Sequence, residues 1–203
     1  MIIPCFYVNI FVDFGRGDSM EKSCCFTGYR PDKFPFKIRF GEPEFTAFEN
    51  KLYDAVFRAR SEGIDTFYCG MAMGFDLLSG KAVVNLKRAS NDCRLIAVIP
   101  FMKQSSGFSQ MWKNLYEIVL AEADEVIYIS DEYTRNCFEK RNKYMVDRSG
   151  SVITFFDGQN GGTSSTLKYA TKQGKKIINI AEYSLDKIYA NYPSYCIVQE
   201  EKV

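Results

Sequence analysis

Residues 66–89, TFYCGMAMGFDLLSGKAVVNLKRA, hold the reading that decides the fold. A four-residue strand-like run, 66–69, stops at Gly70. The turn Gly70-Met71-Ala72-Met73-Gly74-Phe75-Asp76 follows, and Leu77, Leu78, Val83, Val84 and Leu86 then recur as the apolar stripe of a helix. A strand feeding a helix through a glycine turn is the building unit of a parallel sheet. Two other turns share this setting: Thr27-Gly28-Tyr29-Arg30-Pro31 and Gly161-Gly162-Thr163. Glycine turns of this kind let backbone N–H groups approach an anion, and the positive end of the helix dipole adds to the attraction. Three of them together predict a pocket for a phosphate-bearing ligand at the carboxyl edge of the sheet.

Working outward, strands are predicted over 22–27, 94–99, 125–130, 151–156 and 176–180, and helices over 43–62, 75–89, 110–123, 135–149 and 163–173. A further helix near 185–190 and a strand near 195–198 complete the pattern. Most strands are unbroken apolar runs, as strands covered on both faces are. The fold class that follows is α/β, a single doubly wound, mostly parallel, Rossmann-like sheet. No repeat or linker divides the chain. Residues 20–203 read as one domain, and 1–19 as an N-terminal extension, with translation expected to begin at Met20.

At 203 residues, with 46% apolar and 25% charged residues, the chain has an ordinary globular composition. Its net charge of +1 gives no global basic field for nucleic acid. Seven cysteines form no CxxC pair, so a reducing, cytoplasmic setting is expected, with Cys24, Cys25, Cys69 and Cys196 as small buried hydrophobes. The chain has no histidine, which removes the commonest general base and leaves no metal site in prospect. The apolar run near the start is too short to span a bilayer.

Among the turn residues, Gly70 lets the chain reverse, Gly74 admits a ligand to the backbone, and Asp76 either accepts a ribose hydroxyl or caps its helix. Thr27, Gly28, Tyr29 and Arg30 place a hydroxyl, a ring that can stack on a base and a guanidinium that can hold phosphate behind the first strand. Gly161, Gly162 and Thr163 read equally as a phosphate cradle or as a flexible loop with an N-cap. Arg141 and Asn142 can face the ligand edge, although their spacing alone favours a solvated helical face.

In order along the chain, CCFTGYRP at 24–31, GMAMGFD at 70–76, IPF at 99–101, RNKYMVDRS at 141–149 and DGQNGGTSSTLKYA at 157–170 resemble the YpsA-like branch of the SLOG superfamily. That Rossmann-like group also includes the LOG phosphoribohydrolases and the DNA-processing protein DprA. The resemblance covers roughly residues 22–180 and implies a nucleotide-derived ligand over the sheet's carboxyl edge. Three departures stand out. Tyr29 replaces the histidine of the family's TGHRP, and Ser79-Gly80-Lys81 lacks an acidic residue common there. Thr166 occupies the place of the catalytic glutamate of GGxGTxxE, and a threonine cannot act as a base at neutral pH.

The expected function is therefore binding of a nucleotide or nucleotide-derived ligand, ADP-ribose-like, NAD-like or a nucleoside phosphate, by a sensor or regulator, with Thr166 at the glutamate position leaning against an enzyme and whether the ligand is hydrolysed left open. An alternative is an N-glycosidase or phosphoribohydrolase acting on nucleoside monophosphates, with Asp76, Asp157 or Glu139 as the carboxylate. A second is DprA-like single-stranded DNA binding through Arg30, Lys33, Lys37 and Arg39, interleaved with Phe34, Phe36 and Phe40. No dedicated cofactor is expected beyond that ligand. Phe34, Phe36, Phe40, Phe108 and Trp112 are expected to include an exposed patch, and with it a homodimer.

Overall fold

The computed structural model describes residues 20–90 and 92–182. The extension 1–19, the predicted helix 185–190 and strand 195–198, Cys5 and Cys196 lie outside the described residues. Strands β1 (Ser23–Gly28), β2 (Thr66–Cys69), β3 (Arg94–Ile99), β4 (Glu125–Tyr128), β5 (Ser151–Phe155) and β6 (Lys176–Asn179) alternate with helices α1 (Pro43–Ser61), α2 (Phe75–Ser90), α3 (Gln110–Ala121), α4 (Cys137–Asp147) and α5 (Gly162–Lys172). The strands form one sheet in the order β4-β3-β2-β1-β5-β6, and every pairing is parallel.

Side-chain alternation along the strands builds two cores. Phe26, Phe67, Cys69, Leu95, Ala97, Ile99 and Ile153 point to the face covered by α1, α2 and α3. Cys25, Tyr68, Ile96, Val98 and Val152 point to the other, under Met145 and Val146 of α4 and Ala170 of α5. The inner strands are buried on both faces, which is why they read as continuous apolar runs. The edge strands differ: Glu125 and Tyr128 of β4 and Lys176 and Ile177 of β6 are exposed. Cysteines 24, 25, 69, 93 and 137 are free and buried. Burial pushes the thiols of Cys24 and Cys69 up to about 12, so neither forms a thiolate at neutral pH.

Helix ends follow the sequence closely. Pro43 opens α1 without losing a needed donor. Gly63, at φ +98, closes it, donating to Arg60 O while Ile64 N–H reaches Ala59 O. Gly174, at φ +69, closes α5 in the same way, with Lys175 N–H donating to Ala170 O. Predicted boundaries shift by a residue or two: β1 gains Gly28, β4 stops two residues earlier, and α5 starts at Gly162.

The expected aromatic patch is mostly interior. Phe34 (9% exposed), Phe108 (8%) and Trp112 (6%) are buried and Phe36 is half-buried, leaving Phe40 exposed. Phe34 stacks on Phe155 with centroids 5.5 Å apart and meets Phe48 edge-on at 5.3 Å. Phe34 and Phe36 thus complete the core between the segment after β1 and the sheet, and of the five rings Phe40 alone is exposed.

The strand order places the site. From β1 to β4 the chain steps outward on one side, and β5 then returns to the opposite side of β1. The connection after β1 leads to α1 on one face and that after β5 to α5 on the other, opening a crevice at their carboxyl ends.

Candidate functional site

A cleft of about 190 Å³ opens at that crossing point. Thr27, Gly28, Tyr29 and Arg30 line it from behind β1, Asp76 from the first turn of α2, Arg141 and Asn142 from α4, and Gly161, Gly162 and Thr163 from the start of α5. The structure thus gathers every expected site residue except Gly70 and Gly74. Lys33, Ala72, Met73, Phe138 and Gln159 complete the walls. Phe138 carried a usable signal: it lies three and four residues before Arg141 and Asn142, hence on their helical face.

At several glycines the space of a side chain is taken by other parts of the protein. A Cβ on Gly28 would stand 2.6 Å from Phe75 Cβ. One on Gly70 would overlap the Arg141 guanidinium and lie 2.6 Å from Asp76 Oδ2. At Gly74, where φ is +91, a Cβ would clash with Tyr29 O and stand 3.1 Å from Arg30 Cα. At the third turn, a Cβ on Gly161 would meet Lys33 Nζ at 2.8 Å, while one on Gly162 would meet nothing within 4 Å. Gly162 faces open space.

Tyr29 takes a role different from base stacking. It is 2% exposed, with its ring edge-on to Phe34 and Phe155. Its hydroxyl donates to Asp157 Oδ1 and accepts the N–H groups of Asp157 and Gln159, both at 3.3 Å. Burial first, then the Asp157 bond, raises the Tyr29 pKa, and the same bond holds the Asp157 carboxyl below its ordinary range. Lys33 Nζ donates to Asn160 O at 3.2 Å, and Thr163 Oγ1 to Gly28 O at 2.9 Å. The loop after β5 is thereby latched to the loop after β1. The second turn is pinned separately: Gln104 Nε2 donates to the carbonyl of Met71, which sits at φ +56.

Arg141 is not on a solvated face. It is 4% exposed, and its Nη1 donates to Asp76 Oδ2 at 2.7 Å, so Asp76 serves as a charge partner for α4. The Arg141 Nε is buried with no hydrogen-bond partner among the described residues. Arg30 makes no ion pair among the described residues and lies over the Phe138 ring, its guanidinium carbon 5.5 Å from the centroid. Burial is the largest influence lowering the Arg30 pKa; Asp76 opposes it, and the like charge of Arg141 adds to it. Arg30, Lys33 and Arg141 share the cleft with one carboxylate, Asp76. The cleft is electropositive, and an anion between the two guanidinium groups would relieve their repulsion.

The start of α5 reinforces this sign. No side chain caps it, and Gly161 and Gly162 are exposed at its mouth. Thr166, one turn in, donates to Gly162 O at 2.9 Å and accepts from Asn142 Nδ2 at 2.8 Å, tying α5 to α4. Of the carboxylates weighed for catalysis, Asp76 is committed to Arg141 and Asp157 to Tyr29. Glu139 pairs with Lys143 on the outer surface and does not line the cleft.

Among the described residues no helix is long and apolar enough to cross a membrane. Two solved structures share the fold. DNA processing protein A (DprA) of Streptococcus pneumoniae aligns with a TM-score of 0.54 at 16% identity, covering 89% of this chain. This chain spans 57% of that one, little more than half its length. DprA of Helicobacter pylori, described for its single-stranded DNA binding mode, gives 0.52 at 15% identity, covering 86% of this chain and 80% of its own. The SPbeta prophage-derived protein YoqJ of Bacillus subtilis (strain 168) is 30% identical over 118 residues, 52% of this chain and 69% of YoqJ. A UPF0398 protein of Bacillus thuringiensis (strain Al Hakam) is 21% identical over 163 residues, 77% and 86% of the two chains. The model of the YpsA family, described as the YspA SLOG family, matches residues 24–191, a span that contains the three glycine turns. This chain belongs to the YpsA family of SLOG proteins.

Proposed function

We propose that this protein binds a nucleotide or nucleotide-derived phosphate in the cleft between β1 and β5, as a sensor or regulator. The observation that carries the reading is the meeting of the uncapped α5 N-terminus with Arg30 and Arg141, the latter keeping a buried Nε donor without a partner. Buried donors are rarely left empty, and a phosphate oxygen satisfies both the donor and the helix dipole. Hydrolysis of an N-glycosidic bond is disfavoured, because the carboxylates near the cleft are held by Arg141 and Tyr29 and Thr166 is held by Asn142.

A second reading, single-stranded DNA binding, draws on the DprA-like fold and the electropositive cleft. Of the rings interleaved with Arg30, Lys33, Lys37 and Arg39, Phe34 is buried, which weighs against it, while Phe40 is exposed. Thermal-shift measurements with AMP, ADP-ribose, NAD and a single-stranded oligonucleotide separate the two. A ligand at 100 times its Kd stabilises by about 2.7 kcal/mol, roughly 5–11 °C in Tm for a chain of this size. Gly162→Glu should remove the shift while leaving the unliganded Tm nearly unchanged, because the new side chain enters open space. No shift with any small ligand would refute the proposal. A shift with the oligonucleotide alone would favour the second reading.

A further inference from the structure

Tyr29 cannot stack on a base, yet another group of rings is free to do so. Phe101 follows β3, Tyr133 follows β4, and Phe138 lies in the first turn of α4. The three meet one another edge-on, with centroids 5.5 Å (Phe101–Tyr133), 6.0 Å (Phe101–Phe138) and 6.4 Å (Tyr133–Phe138) apart. None of them belongs to either core or packs against one. Tyr133 is 63% exposed, Phe101 and Phe138 are half-buried, and Phe138 forms part of the cleft wall. Rings held against each other outside a core, in water, contribute little to folding and present π-faces. Arg30 connects them to the charged floor, since its guanidinium lies over Phe138.

We infer that the Phe138–Tyr133 wall is a base-stacking subsite, so that the ligand is a mononucleotide lying across the cleft. The phosphate sits at Gly161–Thr163, the sugar passes Asp76 and Arg141, and the base stacks on the aromatic wall beside Arg30. This rests on the phosphate-binding reading above. It follows from the order of the walls: the α5 mouth belongs to the β5 side of the crossing point, and the rings belong to the β3 and β4 side. The Arg30 guanidinium covers one face of Phe138, so the base lies beside it on the exposed Tyr133 end of the wall, with the cation in reach of its π-system.

The test compares AMP with ribose 5-phosphate by calorimetry on the wild type, Tyr133→Ala, Phe138→Leu and Tyr133→Phe. Stacking on each ring predicts a loss of roughly 5- to 150-fold in AMP affinity on its removal. In Tyr133→Ala, whose ring does not line the cleft and does not hold Arg30, ribose 5-phosphate binding should change less than about twofold, within the usual scatter for a distant site. Tyr133→Phe keeps the ring and should keep the affinity. Melting curves of the variants should match the wild type, because the rings lie outside both cores. Equal loss of both ligands, or no loss of AMP, would overturn the base subsite while leaving the phosphate reading intact. So would a wild type that binds ribose 5-phosphate as tightly as AMP. Failure of the wild type to bind either would overturn both. Binding of a single-stranded oligonucleotide far more tightly than AMP, sensitive to the same rings, would overturn the mononucleotide assignment in favour of nucleic acid.

Discussion

Gly70→Ala is expected to be among the costliest single-methyl additions available in this chain, and the cost should run through one ion pair. Gly70 is buried, and the added methyl would overlap the Arg141 guanidinium and press on Asp76 Oδ2 at 2.6 Å. The guanidinium is the end of a flexible side chain, but it is 4% exposed and bonded to a carboxylate that is itself buried. To make room it has to move away from Asp76 toward the cleft that it lines. Breaking a buried pair on one side costs about 3–5 kcal/mol, against a total stability of about 5–15 kcal/mol for a domain. Urea denaturation followed by circular dichroism reads this as a fall in midpoint at constant slope, and calorimetry as a fall in Tm of roughly 6–20 °C. The mechanism is checked by adding Arg141→Met. Once the guanidinium is gone, Gly70→Ala should cost less than about 1 kcal/mol, giving a coupling of roughly 2 kcal/mol or more between the two sites. Additive costs, or a cost for Gly70→Ala alone below about 1 kcal/mol, would refute the assignment of Gly70 as the space for Arg141.

Two further outcomes follow from the loop latch. Tyr29→Phe removes one donor and one acceptor from the hinge between the two loops and should cost about 1 kcal/mol at neutral pH, toward the low end because Asp157 faces solvent. Since the folded Asp157 carboxyl titrates below its unfolded value, its contribution is present above about pH 4 and fades as pH falls through the depressed pKa. The penalty of Tyr29→Phe measured by urea denaturation should therefore shrink between pH 5 and pH 3, and a constant penalty would contradict the bond. Gly74→Ala combines a φ of +91 with a clash against the Tyr29 carbonyl, and should lower stability by about 2 kcal/mol or more. An unchanged melting curve would show that the turn relaxes freely.

The fold was largely legible because its strands are apolar runs separated by glycine turns, and both signals are local. The inner strands 66–69 and 94–99 agree with the structure residue for residue. The edge strands end early because their outer residues have no neighbour to cover them, and composition does not announce which strands are edges. At the site, sequence locates glycines but not what occupies the space they leave. Gly70 and Gly74 read as cleft residues from sequence, yet Arg141 and Tyr29 stand against them and neither lines the cleft. Arg141 reads as solvated because its own helix is charged, and its partner Asp76 lies in a distant segment. Likewise the loop aromatics resemble a sticky surface, yet Phe34 is paired with Phe155 from the other end of the chain. Long-range partners decide all of these, and spacing contains no record of them.

The place of β1 in the sheet has a consequence for the chain's birth on the ribosome. Cys24 pairs with Phe67 on one side and with Ser151 on the other. As synthesis proceeds, β1 to β4 can assemble with α1, α2 and α3 while the opposite edge of β1 and the whole α4–α5 face still await their partners. That edge is apolar on both sides and offers a row of unsatisfied backbone groups to any strand that arrives first. Only when β5 and α5 emerge does the edge close. The same event delivers Gly161, Gly162 and Thr163 to the cleft, so its last wall arrives together with the strand that seals the sheet.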